Sequence, residues 1–167
     1  MIGNYLNKRD VSLTLILLCF AFPCYAQEKT GITVRPHAGY GYSSSANSKY
    51  DGGVFHAGAR FLLNSGERQR YGLEVSHFNL NGENDFTSFG IILEQLLWGW
   101  FNMSIGTVGY FSYGKDSDNP VGLTTNLGWE PEIFKNLTSF ITYRNDIVFH
   151  NDTAVMTSVS AGLSWQF

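Results

Sequence analysis

The chain has 167 residues, 44% of them hydrophobic and 15% charged; that length suits one domain, and that composition excludes an unstructured chain. Setting aside Lys8, Arg9 and Asp10, nine Lys and Arg face thirteen Asp and Glu from Gln27 onward. This mildly acidic balance excludes the basic footprint of a nucleic-acid-binding protein.

The first element is a secretory signal over residues 1–26. Lys8 and Arg9 precede the apolar run VSLTLILLCFAF, and Ala26 suits the small residue needed before a cut at Gln27. Lipidation at Cys24 is disfavoured by Pro23 before it. Cys19 and Cys24 are the only cysteines, so the expected mature domain, 27–167, has neither disulfides nor thiolate ligands. After the signal no apolar run approaches the ~20 residues of a membrane helix.

Strand-period alternation then recurs eight times, near 32–43, 53–63, 70–80, 86–97, 101–113, 121–130, 137–149 and 154–167. The segments SSSANSKYDG, NSGERQ, NGEND, GKDSDNP, PEIFKN and HND connect them, with LWGW as one more short turn. Links this short join antiparallel neighbours, so the expected fold is all-β: a closed, eight-stranded, antiparallel up-and-down transmembrane barrel. Pro36 predicts a bulge in the first strand, since proline removes a ladder hydrogen bond.

Parity separates two faces. The apolar face carries Ile32, Val34, Ala38, Tyr40 and Tyr42 in the first strand, then odd positions such as Phe55, Leu73, Ile91, Met103, Leu127, Ile141 and Val159. The other carries Arg35, His37, His56, Arg60, Glu74, Ser76, Glu94, Asn102, Ser104, Asn126, Glu130, Arg144, Asp146, Ser158 and Gln166, with nine of the eighteen glycines. A soluble barrel of lipocalin type would turn the apolar face inward and a membrane barrel would turn it outward.

Three features favour the membrane sense. Glycines make room inside a narrow barrel but only weaken a solvated exterior. Aromatics fall into two belts, Tyr40, Tyr42, Phe55, Phe111, Tyr113 and Phe149 at one end and Phe61, Tyr71, Trp98, Trp100, Phe101, Trp129, Trp165 and Phe167 at the other, as two membrane interfaces select. Each strand also gives the roughly 9–11 residues a tilted crossing needs. Both termini are then periplasmic, and the last strand closes on the first, leaving no edge.

The signal, the eight alternating segments and the terminal pattern Leu163, Trp165, Phe167 resemble the small eight-stranded outer-membrane proteins of Gram-negative bacteria, of OmpX and Ail type or the membrane domain of OmpA type. The resemblance implies residence in the outer membrane among its lipids and lipopolysaccharide. It also implies that Leu163, Trp165 and Phe167 are read by the barrel-assembly machinery. More distantly the chain is similar to PagL-type lipid A deacylases, which use a His and a Ser two residues apart. No His-x-Ser occurs here, and adjacent Ser76 and His77 point to opposite faces.

Arg35, Arg60, Glu74, Glu94, Glu130, Arg144 and Asp146 are expected to form a structural ion network, because an eight-strand lumen is only wide enough for side chains to fill it. The connections opposite the termini carry Lys49 and Lys115 against Asp51, Glu83, Asp85, Asp116, Asp118 and Asp152, an acidic rim suited to solvated tips or weak divalent bridging to lipopolysaccharide. No cofactor or metal is expected, since no loop has calcium-site spacing. Sequons at Asn102, Asn136 and Asn151 would matter only in a eukaryotic secretory route, and Asn102 faces the lumen. The expected function is a monomeric, non-enzymatic envelope scaffold or surface interaction protein; the alternative is a PagL-type acyl ester hydrolase.

Overall fold

The computed structural model describes residues 31–46, 48, 50–82, 84–113 and 119–167. The expected signal segment lies outside them, as do Lys49, Glu83, Lys115, Asp116 and Asp118 of the expected rim. The strands are β1 (Ile32–Ser45), β2 (Gly52–Ser65), β3 (Gln69–Leu80), β4 (Asn84–Leu96), β5 (Phe101–Phe111), β6 (Val121–Trp129), β7 (Glu132–Phe134), β8 (Leu137–Phe149) and β9 (Ala154–Gln166). Each long strand pairs antiparallel with its neighbour in sequence, β6 pairs across to β8, and β1 pairs with β9. Eight strands therefore close on themselves. The ninth, β7, is a three-residue strand within the PEIFKN connection, bridging Glu132 to Thr138.

The ladders fix the stagger. From Tyr42 the paired residues run Thr157, Asn145, Thr125, Ile105, Leu93, Tyr71, Leu63 and back to β1 at Ile32, ten residues from the start. Eight strands with that stagger tilt by about 40° from the barrel axis, so each residue climbs roughly 2.5 Å along it.

Pro36 makes no bulge. Val34 faces Trp165 and His37 faces Gly162 in one unbroken register, and only Arg35 and Pro36 are skipped on the β9 side. The missing amide costs local ladder bonds without requiring an extra residue. Gly162 accommodates the site, since a Cβ there would collide with the Pro36 carbonyl oxygen.

The faces sort as a membrane barrel requires. Outward, Tyr40 and Ile91 are 66% and 62% exposed; inward, Arg35 and Arg144 are 2% and 1% exposed. A lipocalin-like barrel has the reverse arrangement, and that reading is excluded. The inward glycines make the expected room: a Cβ on Gly39 would stand 2.5 Å from His56 Nε2.

Two expectations about the faces change. Tyr113, assigned to an outward belt, is 1% exposed. Ser112 has φ of 61°, and this left-handed residue ends the alternation, so the next side chain turns inward. The lumen is also not polar throughout. Its end away from the termini is filled by Tyr50, Val54, Phe78, Phe86, Tyr110, Tyr113 and neighbouring aliphatics. Phe78 and Phe86 stack at 5.0 Å, while Tyr113 meets Phe86 edge-on and Tyr50 at a tilt, both at 4.9 Å, geometries favoured by the ring quadrupole.

Candidate functional site: the ion-paired lumen and the outward wall

Below the aromatic layer the lumen holds two sets of ion pairs. The one nearer the termini joins β1, β3, β4 and the residue after β6. Arg35 Nη1 donates to Glu94 at 2.6 Å, its Nη2 donates to Glu130, and its Nε donates to Ser164 at 3.2 Å. Arg70 Nη1 reaches both Glu94 and Glu130 at 3.0 Å. Thr138 Oγ1 donates to the other Glu130 oxygen at 2.8 Å.

The second set centres on Glu74. Arg60 Nε donates to it at 2.5 Å, Arg144 Nη1 donates to its other oxygen, and Ser76 adds a bond at 3.2 Å. Arg144 also grips Asp146 with two bonds, at 2.6 and 2.9 Å, the bidentate geometry its planar fork allows. Its guanidinium lies 5.3 Å from the Phe78 ring centroid, joining ion pairs to aromatic layer.

The seven residues expected to share the lumen all lie in these two sets. Sequence reasoning missed Arg70. It has the inward parity of β3 and stands directly across from Glu94, but its place beside the NSGERQ turn disguised it. With Arg70 the balance is even: Arg35, Arg60, Arg70 and Arg144 against Glu74, Glu94, Glu130 and Asp146. Arg35 and Arg60 are cross-strand partners, a repulsive placement relieved because each turns to different carboxylates. Beside Arg70 a polar cavity of about 370 Å³ opens at the terminal end, lined also by Asn64, Gln69 and Gln166.

The lumen contains two Ser–His contacts, and among the described residues neither imidazole has a carboxylate hydrogen-bonded to its other nitrogen. His37 Nε2 lies 3.2 Å from Ser76 Oγ, and His56 Nε2 lies 3.0 Å from Ser158 Oγ. All four residues are buried, and Glu74 contacts the serine rather than the imidazole of the first pair. Such pairs satisfy buried polar groups.

On the outward wall a different histidine has company. His77 Nδ1 lies 3.3 Å from Thr87 Oγ1, its Nε2 lies 3.8 Å from Asp85, and Asn79 donates to that carboxylate at 2.7 Å. Thr87 faces His77 across the β3–β4 ladder, a neighbour that a search for His-x-Ser along one strand does not see.

Of the expected acidic rim, Asp51, Asp85 and Asp152 are described. Asp51 accepts from the Ser45 amide at 2.6 Å and the Ser45 hydroxyl at 3.2 Å; the amide bond above all holds its carboxyl below the usual carboxylate range. This carboxylate ties its own loop. Leu163, Trp165 and Phe167 are outward, at 38%, 37% and 79% exposure, and Phe167 exchanges backbone bonds of 2.9 and 3.3 Å with Ile32.

No family model and no curated protein matches the chain. Among solved structures it is similar to Neisserial surface protein A, at a TM-score of 0.64 and 14% identity over 81% of this chain and 97% of that one. A looser likeness is to the outer membrane protein OprG from Pseudomonas aeruginosa, with a TM-score of 0.45, 10% identity, and 87% and 99% coverage. A de novo designed transmembrane β-barrel stands at 0.49, 14%, and 85% and 99%. The chain has the fold of the small eight-stranded transmembrane barrels. One solved barrel whose shape it shares is the Neisserial one.

Proposed function

We propose that the protein is an integral outer-membrane barrel that serves as an envelope scaffold or surface interaction protein through the loops opposite its termini. The observation that carries this reading is the inversion of polarity: three buried arginines and the half-buried Arg70 neutralised by four buried carboxylates inside, and a wall of exposed aliphatics between aromatic belts outside. In water such an exterior would aggregate; in a bilayer it matches its surroundings. A lumen packed with ion pairs and aromatics gives rigidity rather than passage. The partners this reading implies are outer-membrane lipids and lipopolysaccharide around the wall, and the barrel-assembly machinery at Leu163, Trp165 and Phe167. Export through a signal cut after Ala26 belongs to the same reading.

Fractionation joined to heat-modifiable gel migration tests it. The protein is expected in the outer membrane, running faster unheated than boiled. Release into the soluble fraction on osmotic shock would sink the proposal.

An acyl ester hydrolase is the second reading, supported by the outward Asp85–His77–Thr87 constellation at the level of the belt opposite the termini. There the imidazole would take the Thr87 proton as the hydroxyl attacks an acyl ester, pass it to the departing alkoxide as the ester C–O bond breaks, and then activate the water that releases the acyl group from Thr87. Mass spectrometry of lipid A from cells with the wild-type chain, with Thr87→Ala, and without the protein decides it. An acyl pattern identical in all three removes the enzyme.

A further inference from the structure

The apolar wall does not have one height all round. Between the outermost outward-facing apolar residues of a strand lie eight residues in β2, Phe55 to Leu63, and twelve in β8, Leu137 to Phe149, with β1, β5, β6 and β9 within that range. In β3 the same distance is four, Tyr71 to Val75. In β4 it is also four, Phe89 to Leu93, with Leu97 returning only in the turn that follows. At about 2.5 Å per residue the wall is roughly 20–30 Å tall elsewhere and roughly 10 Å tall here.

On the β3–β4 ladder three apolar rungs, Tyr71–Leu93, Leu73–Ile91 and Val75–Phe89, end at Gln69–Gln95 on one side and at His77–Thr87 and Asn79–Asp85 on the other. The His77 and Asp85 side chains are 61% and 62% exposed. No outward apolar residue follows them in the described part of this hairpin. The β8–β9 ladder also has a polar outward rung, Asn145–Thr157, but Thr157 donates to Asn145 within it at 2.8 Å, and Ile147–Val155 and Phe149 follow on the side away from the termini.

Tilting the barrel cannot remove the difference. β3 and β8 stand four strands apart, on opposite sides of the ring, and half the ten-residue stagger sets Tyr71 level with Phe140 and Val75 level with Arg144. The short wall is therefore recessed from the tall one at both ends, by three residues and by five. A tilt moves both ends of a wall together, so it mends one recess only by deepening the other.

We propose that the β3–β4 wall is a membrane-thinning face, beside which the headgroups of both leaflets are drawn toward the midplane. In the leaflet opposite the termini they meet His77, Asn79, Asp85 and Thr87; in the other they meet Gln69 and the exposed Glu67 and Arg68 of the β2–β3 turn. A hydrocarbon core of about 30 Å matches the tall wall. Against the short one it would bury the His77–Asp85 pair, and local thinning keeps those groups hydrated. The recess at the His77 end is confined to this hairpin, since Phe55 faces Asn79 from β2 and Phe111 faces Thr87 from β5. This inference rests on the membrane reading.

The test uses the full chain exported to the envelope, extracted in mild detergent and returned to vesicles of dioleoyl phosphatidylcholine. The expected mature domain has no cysteine, so one nitroxide is attached through Val75→Cys on the short wall and another through Tyr143→Cys, one residue lower on the tall wall. Collisions with a water-soluble nickel chelate and with oxygen, which concentrates in hydrocarbon, report the depth of each label. The ratio of nickel to oxygen access should be several-fold higher at Val75 than at Tyr143. Adding His77→Leu and Thr87→Leu, which makes the first polar rung apolar, should bring the two labels together, and so should vesicles of the shorter-chained dilauroyl lipid. Heat-modifiable migration checks that each variant folds. Equal ratios in dioleoyl vesicles, or a difference that survives His77→Leu with Thr87→Leu, would overturn the proposal. So would loss of access to both reagents at Val75, which marks a protein covering the wall. Failure of the membrane reading would show separately, as a soluble protein in the fractionation.

Discussion

Glu74 has the most exacting place in the lumen, between Arg60, its partner on the adjacent strand β2, and Arg144, which reaches it from β8. Removing it leaves Arg60 with only the neutral Asn126 and strips one of Arg144's two counter-ions. Breaking a buried pair from one side costs about 3–5 kcal/mol, because a desolvated charge is stranded. Glu74→Ala should therefore lower unfolding stability in detergent by that amount, measured by denaturant titration, with Glu74→Gln recovering part of it. Asp51 gives a pH-dependent counterpart in the loop. Its folded carboxyl is held below the unfolded value, so its contribution is complete above the ordinary carboxylate range and is lost as pH falls through the lowered value. Hydrogen-exchange protection of the Ser45 amide should fall over that acid interval, and Asp51→Asn should abolish the response.

At the scale of the strand, the period of two makes neighbouring residues live in different solvents. In β6, Asn126 is 3% exposed and hydrogen-bonded to Arg60 and Ser104, while Leu127 is 52% exposed. Leu127→Arg places a charge on the wall inside the aromatic belt and should cost about 2–4 kcal/mol in folding into lipid vesicles. A strand also has an end. Phe167 adds one exposed ring and two backbone bonds to β1, so its deletion should leave refolding in detergent nearly intact. If the terminal strand is read during assembly, the same deletion should sharply reduce the folded form in the outer membrane of cells, visible as loss of the fast-migrating band.

For the whole molecule, closure and filling act together. Eight strands with a ten-residue stagger enclose a space that two sets of ion pairs and one aromatic layer occupy. Aqueous channels use about twice as many strands, so the protein reconstituted in planar bilayers should show no stepwise current. Discrete conductance steps would show that the lumen opens. The balance of four arginines and four carboxylates follows from the same closure, since every inward charge must find its partner across a lumen only side chains wide.

The alternation of faces determined the strands, their antiparallel order and the closed eight-stranded form, because a period of two assigns each residue a side without any knowledge of its neighbours. It also placed Arg35, Arg60, Glu74, Glu94, Glu130, Arg144 and Asp146 on one face. Parity states a side but not a height or a partner. Only the tertiary structure decided that Arg70 completes the charge balance, that Tyr113 turns inward behind the left-handed Ser112, and that Pro36 fits without a bulge. The same holds for Phe78, Phe86 and Tyr110, whose inward parity was in plain view while their stacking into a plug depended on residues as far apart as 78 and 110 in sequence meeting at one level. Those outcomes depend on register between strands, which is set by closure and by packing across the barrel and is not written along any single strand.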